Sequence, residues 1–285
     1  MNYDEQALQF RCGGESLVGI VAIPEQPQST GIVLVVGGPQ YRAGSHRQFT
    51  VLSRVLADAG FPVLRFDVRG MGDSSGASRD FLDIDDDIDA AIAALQERIP
   101  AMRRVVLWGL CDAAAAALLY CGNNQDPRVR GLCLINPWVR SPASEARTMV
   151  KHYYLQRLTE PDFWSKVVRG RVGGSALKDL AQTIRRAAGD DPTSSPQSAE
   201  ASFQQQMAAA WRSFEGPILL VLSGRDYTAK EFIDRVESDA AWSGAFGHAR
   251  LTRHDVAEAD HTFSEASARS SLERHTLKWL QGEPS

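Results

Sequence analysis

At its centre the chain reads Val105-Val106-Leu107-Trp108-Gly109-Leu110-Cys111-Asp112-Ala113-Ala114-Ala115. The apolar run predicts a buried strand, and the alanines after it predict a helix. A residue at the apex of such a sharp turn has strained backbone geometry, so the positions two before and two after it must be small. Gly109 and Ala113 stand there. Cys111 is therefore a candidate nucleophile, although a buried cysteine after a core strand is the common alternative.

Strand and helix patterns alternate on both sides of this turn. Continuous apolar runs predict strands at 31–36, 61–67, 129–138 and 217–223, with a weaker strand at 249–255. Helical spacing predicts helices at 47–59, 83–98, 230–239 and 265–280. Short turns join these segments, which is typical of βαβ units and a mostly parallel sheet. The alternation within 8–23 predicts an antiparallel hairpin at the sheet edge.

The alternation stops at Trp138 and resumes near Pro217. Between them the patterns predict only helices, at 144–158, 161–168, 176–188 and 199–214. We therefore divide the chain into a core of residues 1–137 and 215–285 and an inserted helical cap of residues 138–214. Aromatic side chains of the cap either line a pocket or, more commonly, pack the cap's own interior. They are Trp138, Tyr153, Tyr154, Phe163 and Trp164.

Composition excludes several functional classes. The 285 residues carry a net charge of −4, and the basic residues form no block, so we expect no nucleic-acid partner. The start resembles no signal peptide, and no apolar run reaches the length of a membrane span. Four cysteines follow neither a disulfide framework nor a metal-binding spacing. We expect a cytoplasmic protein without metal or cofactor, and leave its oligomeric state open.

Two further segments, one acidic and one rich in glycine, are predicted to have a structural rather than a catalytic role. The acidic residues 85–87 are typical of a solvated helix start, where they suit the helix dipole. The segment containing Gly70 and Gly72 predicts tight turns. We expect Arg69 and Asp73 to brace these turns rather than to take part in chemistry.

Active residues of parallel sheets lie at the carboxyl ends of strands, and three strand ends carry a candidate. They are Cys111, Asp226 and His261. A thiol is largely protonated at neutral pH, so it needs a base such as histidine, and the imidazole in turn needs an acceptor on its other nitrogen. The order nucleophile, acid, histidine is that of an α/β-hydrolase triad.

Each assignment has an alternative. Asp226 is also a favourable cap for the following helix. Asp255 or Asp260 offers another acid for the histidine, and His261 is alternatively a surface loop residue.

The loop after the 31–36 strand is the second candidate part of the site. An oxyanion hole needs two backbone N–H groups, of which Asp112 supplies one. Pro39 has no N–H, so Gln40 is the candidate for the second, with Gly38 behind it. A simple tight turn at 37–38 is the alternative. The candidate substrate contacts are Tyr41, Arg42, His46 and Trp138.

Five segments together resemble the α/β-hydrolase superfamily and, within it, the exosortase A system-associated hydrolases of type 1. They are Gly37-Gly38-Pro39-Gln40-Tyr41-Arg42 with Ser45-His46-Arg47-Gln48-Phe49, then Asp67-Val68-Arg69-Gly70-Met71-Gly72-Asp73-Ser74, Trp108-Gly109-Leu110-Cys111-Asp112-Ala113, Ser223-Gly224-Arg225-Asp226 and Asp260-His261-Thr262-Phe263-Ser264. The resemblance spans nearly the whole chain except the cap. It implies an α/β-hydrolase fold, with an eight-stranded, mostly parallel sheet flanked by helices. It also implies a Cys/Asp/His hydrolase linked to surface polysaccharide and protein sorting, with no defined substrate.

The chain departs from the superfamily at two positions of the turn. Cys111 replaces the usual serine, and Ala113 replaces the usual last glycine. A thiolate leaves readily, so a cysteine nucleophile suits activated esters, lactones and thioesters. We expect an acyl hydrolase acting on a small-molecule or acyl- or glycan-linked substrate. Two alternatives stay open, an acyltransferase with the same triad and a non-catalytic binding or scaffold protein of the same pathway.

Overall fold

The computed structural model of the chain describes residues 2–38, 40–140 and 201–282. Eight strands in these residues form one sheet: β1 (Tyr3–Cys12), β2 (Glu15–Pro24), β3 (Thr30–Val35), β4 (Val63–Phe66), β5 (Arg104–Leu110), β6 (Val129–Ile135), β7 (Ile218–Ser223) and β8 (Leu251–Val256). Helices flank the sheet: α1 (Gln48–Asp58), α2 (Asp85–Arg98), α3 (Asp112–Asn124), α4 (Phe203–Ser213), α5 (Tyr227–Ser238) and α6 (Ala266–Gly282).

The strand order across the sheet is β1-β2-β4-β3-β5-β6-β7-β8. The β1–β2 and β2–β4 pairs are antiparallel, and all the other pairs are parallel. The edge hairpin and the mostly parallel sheet that the sequence predicts are both confirmed. The carboxyl ends of the parallel strands consequently meet at one edge of the sheet.

The central strand β5 is buried on both faces. Val105 and Leu107 belong to the apolar cluster that contains the α2 and α3 side chains. Val106 and Trp108 belong to the opposite cluster, which contains residues of α1 and α6. This burial explains why the strand is a continuous apolar run, since successive side chains point to opposite faces and both faces are covered.

Helix α4 packs directly against the core helix α3. A Cβ on Gly122 of α3 would lie 2.7 Å from the Cβ of Ala210, so the glycine allows the two helices to approach closely. Met207 and Trp211 of α4 are buried in the same apolar cluster as α3. The cap helices predicted at 144–158, 161–168 and 176–188 lie outside the described residues. The division of the chain into core and cap stays a prediction.

The acidic start of α2 differs from its prediction as a solvated segment. Asp87 is fully buried, and its carboxylate accepts hydrogen bonds from the backbone N–H of Arg69 at 2.8 Å and from the Arg69 Nε at 2.9 Å. The prediction was wrong for Asp87, because charge runs are solvated only where no buried cation faces them. The bracing role predicted for Arg69 is confirmed by these bonds.

Candidate active site

The turn between β5 and α3 has the strained geometry that its sequence predicts. Cys111 adopts φ 64° and ψ −122°, a left-handed conformation unusual for a residue with a side chain. A Cβ on Gly109 would lie 2.5 Å from the carbonyl carbon of Ala113, so only glycine fits there. The Cys111 N–H donates to the carbonyl of Ile135 at 2.8 Å, which fixes the apex beside the end of β6.

Cys111 and His261 line the same cavity, and the Cys111 side chain is near enough to the ring to raise the pKa of His261. The other side of the ring is held by Asp226, with Nδ1 2.8 Å from Oδ2. The same carboxylate accepts the backbone N–H groups of Thr228 at 3.0 Å and Ala229 at 3.3 Å. Asp226 therefore caps α5 and orients the histidine at once, so the two interpretations of this residue are compatible.

The other two acids considered as partners of His261 have different contacts. Asp260 accepts the backbone N–H of Ser264 at 2.9 Å and also bonds its hydroxyl group. Asp255 is paired with Arg253 at 3.0 Å. Of these three acids, it is Asp226 that hydrogen-bonds the Nδ1 of His261.

The charge state of His261 follows from its two partners. The hydrogen bond to Asp226 and, after it, the nearby Cys111 side chain raise the pKa of His261 to about 10, and burial offsets only part of this rise. Negative charge on either partner favours the imidazolium. The ring therefore carries its extra proton at neutral pH and is a proton donor within reach of the Cys111 sulfur.

Asn136 is a site-supporting residue that the sequence analysis did not single out. It follows β6 in a left-handed conformation with φ 45°, which asparagine tolerates better than most residues. It is fully buried, and its Nδ2 donates to the carbonyl of His261 at 3.3 Å. Asn136 thereby supports the backbone of the loop that presents His261. Its position directly after a buried strand was the available signal.

A cavity of about 400 Å³ opens beside Cys111. The described residues that line it are Gly37, Gly38, Gln40, Phe49, Asp80, Phe81, Leu110, Cys111, Asp112, Trp138 and His261. The structure therefore brings most of the predicted site residues to one cavity. Asp80 and Phe81 were missed, because they lie in an irregular segment beyond β4 that carries no catalytic motif.

Three predicted substrate contacts are absent from the described lining of this cavity. The guanidinium of Arg42 bonds the buried Asp67 and also Asp73, at 2.6 Å, so it braces the loop after β4. The Tyr41 side chain is 53% exposed. His46 lies near Asp260 and, after the hydrogen bonds from Ser264, helps to lower the pKa of that carboxyl group. Their contact with a substrate stays a prediction.

The carboxylate of Asp112 lies against the loop after β3. It accepts the backbone N–H of Ala113 at 2.9 Å. Its Oδ2 lies 3.5 Å from where a Cβ on Gly38 would stand. A Cβ on Gly37 would collide with this carboxylate, so the close approach depends on glycine. Burial raises the pKa of Asp112, and nearby backbone N–H groups lower it only in part.

The described residues contain neither a membrane-spanning helix nor a metal-binding cluster. None of the described helices is both long enough and apolar enough to cross a membrane. Within the same ranges, no group of three or more His, Cys, Asp or Glu side chains is arranged to hold a metal ion.

Comparison with known proteins gives a family and a fold. The sequence profile of the alpha/beta hydrolase family matches residues 32–269. The solved esterase Pf2001 of Pyrococcus furiosus is 14% identical, with a TM-score of 0.63, covering 98% of this chain and 92% of the esterase. XC6422 of Xanthomonas campestris, described as an a/b serine hydrolase without lid, is 17% identical, with a TM-score of 0.58 and coverage of 99% and 97%. An alpha-beta serine hydrolase homologue of Coxiella burnetii is 14% identical, with a TM-score of 0.55 and 96% coverage of both chains. No curated protein matches the sequence.

Proposed function

Because this chain belongs to the alpha/beta hydrolase family, we propose that it is an acyl hydrolase whose nucleophile is Cys111. One observation carries the proposal. The strained Cys111 and the ring of His261 line one cavity, and Asp226 holds the Nδ1 of that ring at 2.8 Å. A nucleophile, a base and an acid that orients the base, gathered at one cavity, are the parts that covalent acyl transfer requires.

Acylation uses these groups in sequence. With the proton of the pair on His261, the Cys111 sulfur attacks the substrate carbonyl carbon as a thiolate. A carbon–sulfur bond forms while the π electrons of the carbonyl move onto its oxygen. When the oxygen's electrons return, the bond to the leaving group breaks, and His261 transfers its proton to that group. The product is a thioester on Cys111.

Deacylation returns the enzyme to its starting state. His261, now neutral, takes a proton from water as the water oxygen attacks the thioester carbon. Collapse of the second tetrahedral intermediate breaks the carbon–sulfur bond and releases the acid and the Cys111 thiolate. Asp226 stabilises the imidazolium in both halves and keeps the ring in one orientation.

The oxygen that becomes negative needs two N–H donors. The N–H of Asp112 is the first, since it follows the nucleophile and begins α3, where the helix dipole favours negative charge. The second comes from the loop after β3, from Gln40 or from Gly38, both of which line the cavity.

The choice of cysteine supports a restricted substrate class. A tetrahedral intermediate on a thiolate returns to reactants unless the other group leaves at least as well. We therefore propose activated esters, lactones or thioesters as substrates. The resemblance to exosortase A system-associated hydrolases supports an acyl- or glycan-linked substrate of surface polysaccharide biology. None of the four cysteines, all of which lie in the described residues, forms a disulfide, which supports a reducing cytoplasm.

The experiment is acyl-enzyme trapping with p-nitrophenyl acetate and with the thioester S-phenyl thioacetate. We expect one acetyl group on the tryptic peptide that contains Cys111 after rapid acid quench, together with steady release of free acetate. Cys111→Ala should abolish both. Cys121→Ala is the matched control, because burial raises the pKa of that thiol and makes it a poor nucleophile.

The same experiment separates the alternatives. Transfer of the acetyl group to added glycerol or an amine, in place of acetate release, would show an acyltransferase. A folded protein that forms no adduct on Cys111 with either reagent would contradict the proposed function and favour the non-catalytic protein.

A further inference from the structure

A second cavity, of about 810 Å³, lies at the amino ends of the central strands, and we call it the amino-edge cavity. Arg104 and Val129 in its lining are the first residues of β5 and β6, and Arg250 directly precedes β8. Cys111 follows the carboxyl end of β5, so the two cavities lie at opposite edges of the sheet. They share no lining residue among those that the structure describes. The volume suits a small-molecule ligand, and the proposed acyl transfer does not use this cavity.

Cations outnumber anions in the amino-edge cavity, although the whole chain carries a net charge of −4. The charged members of its described lining are Arg104, Arg130, Arg250, Asp126 and Glu215. Of the two acids, Asp126 already forms an ion pair of 2.6 Å with Arg128, a residue outside that lining. One carboxylate, that of Glu215, is therefore left against three guanidinium groups in this part of the lining.

An adjoining cavity of about 480 Å³ extends the positive surface. It shares Pro217 and Arg250 with the amino-edge cavity and adds Lys278 of α6. No aspartate or glutamate is among the residues described for its lining. The cations are thus spread along the amino ends of neighbouring strands and are not gathered at one point.

Arg130 owes its place in the amino-edge cavity to a bulge in β6. Val129 and Gly131 pair with successive residues of β5, so Arg130 between them is an extra residue without a partner on that strand. Val129 consequently shares an apolar cluster with Leu132, three residues further on, whereas regular alternation would place the two on opposite faces. Val129 and Gly131 are buried and Arg130 is exposed. Bulges re-aim side chains, and this one directs an arginine into the cavity.

Neither Arg130 nor Arg250 is neutralised by a carboxylate. Within the part of the chain that the structure describes, the guanidinium of Arg130 forms no hydrogen bond or ion pair. Arg250 is held in place by neutral groups, since its Nη1 donates to the carbonyl of Glu215 at 3.1 Å and its N–H donates to the ring of His248 at 3.3 Å. One strand, β7, separates β6 from β8, so the backbones of the two arginines lie about 10 Å apart. One small molecule in the cavity can meet both.

We propose that the amino-edge cavity binds a small molecule with two or more anionic groups, such as a diphosphate, through Arg130 and Arg250. The planar guanidinium group donates two parallel hydrogen bonds to a phosphate or a carboxylate, which suits it to such a ligand. A concave surface lined by one sign of charge also raises the local concentration of the opposite ion. The inference goes beyond acyl hydrolysis and does not depend on it, because the cavity contains none of the proposed catalytic residues.

Isothermal titration calorimetry of the full chain with pyrophosphate tests the inference. We expect saturable one-to-one binding at about millimolar concentration or below, which weakens as the NaCl concentration rises from about 0.01 M to 0.1 M. Arg130→Gln and Arg250→Gln should each raise the Kd about tenfold or more, because each removes a charge-assisted hydrogen bond. Arg11→Gln is the matched control. It removes the same charge from an exposed residue of the far edge strand β1 and should change the Kd by less than about twofold.

Two further measurements locate the ligand and identify its chemistry. Alkylation of Cys111 with iodoacetamide should leave the Kd for pyrophosphate unchanged, because the two cavities lie at opposite edges of the sheet. Citrate, titrated in parallel, separates the sources of negative charge. Equal binding of citrate and pyrophosphate supports a site for small polyanions in general, and binding of pyrophosphate alone supports a site for phosphates. Thermal unfolding curves show that each variant compared is folded.

The inference is overturned if the folded wild type binds neither anion. It is also overturned if Arg130→Gln and Arg250→Gln bind pyrophosphate as tightly as the wild type, or if Arg11→Gln weakens binding as much as they do, since net charge would then be the cause. Loss of binding after alkylation of Cys111 would place the anion in the other cavity and refute the site as well. Failure of the proposed function is a separate result, because it concerns acyl adducts on Cys111.

Discussion

Asn136 and Ser223 join the carboxyl ends of β6 and β7 by a reciprocal pair of hydrogen bonds. The Asn136 Nδ2 donates to the Ser223 hydroxyl oxygen at 2.9 Å, and the Ser223 N–H donates to the Asn136 Oδ1 at 2.9 Å. Both residues are buried, and Asn136 also contacts the carbonyl of His261. One amide side chain therefore ties together the ends of β6 and β7 and the loop that presents His261.

Asn136→Ala should destabilise the protein and reduce activity. It leaves the buried Ser223 N–H without its acceptor, which costs about 1–3 kcal/mol of unfolding free energy. Urea denaturation measures the loss, and kcat/KM should fall because His261 loses a support of its backbone. Ser223→Ala is the milder control, since its backbone N–H keeps Asn136. A larger effect of Ser223→Ala than of Asn136→Ala would contradict this account.

Arg69→Met should be among the most destabilising single changes in the described core. It leaves the fully buried Asp87 without its cation, which costs about 3–5 kcal/mol for a broken buried ion pair. Arg69→Met/Asp87→Leu should recover part of the loss, because no unpaired charge remains. Asp86→Asn is the control, since that carboxylate is 78% exposed and should change stability by less than about 1 kcal/mol. The denaturant midpoints of the wild type and the three variants measure these differences in stability.

Gly109→Ala should prevent the turn at Cys111 from forming. The added Cβ would lie 2.5 Å from both the carbonyl carbon and the carbonyl oxygen of Ala113. Neither atom can move without disturbing the first turn of α3, so we expect poor expression or loss of the cooperative transition. Ala113→Gly changes the other small position of the same turn. It should fold and remain active, with a loss near 1 kcal/mol from helix propensity; equal behaviour of the two variants would refute the steric argument.

Asp226→Asn should lower kcat/KM by about 10⁴-fold, as expected when a triad acid loses its charge but keeps its place. The largest contribution to the raised pKa of His261 is its bond with Asp226. The pKa of His261, measured by NMR titration, should therefore fall from about 10 in this variant. An unchanged titration would show that Cys111 alone sets the charge of the ring.

The same shift gives a pH dependence of stability. Folding raises the pKa of His261 from 6.5 to about 10, so the folded state binds this proton more tightly than the unfolded chain. The resulting stabilisation is complete below the unfolded pKa and is lost as pH rises through the folded one. His261→Gln should thus destabilise the protein more at about pH 6 than above about pH 10. Urea denaturation of both proteins at the two pH values checks the sign.

The sequence predicted the parts of this protein that depend on local spacing. The apolar run ending at Gly109 and the alanines after Cys111 predicted the strand, the turn and the helix, because their periodicities differ and the turn tolerates only small residues. The strand ends before Asp226 and His261 were found in the same way. Because the predicted sheet is mostly parallel, these strand ends were expected to meet at one edge of it.

Only the tertiary structure decided which side chains meet across that edge. Three such contacts join residues distant in sequence: the buried pair of Asp87 and Arg69, the ion pair of Arg42 with Asp67, and the close approach of Asp112 to Gly37. No periodicity encodes such contacts, because the direction of a polar side chain depends on which donors and charges the other elements bring within reach. The sequence by itself determined that a cysteine stands at a strained strand-to-helix turn. The packing of the loop after β3 against α3 decided that the Asp112 carboxylate lies against Gly37, beside that turn.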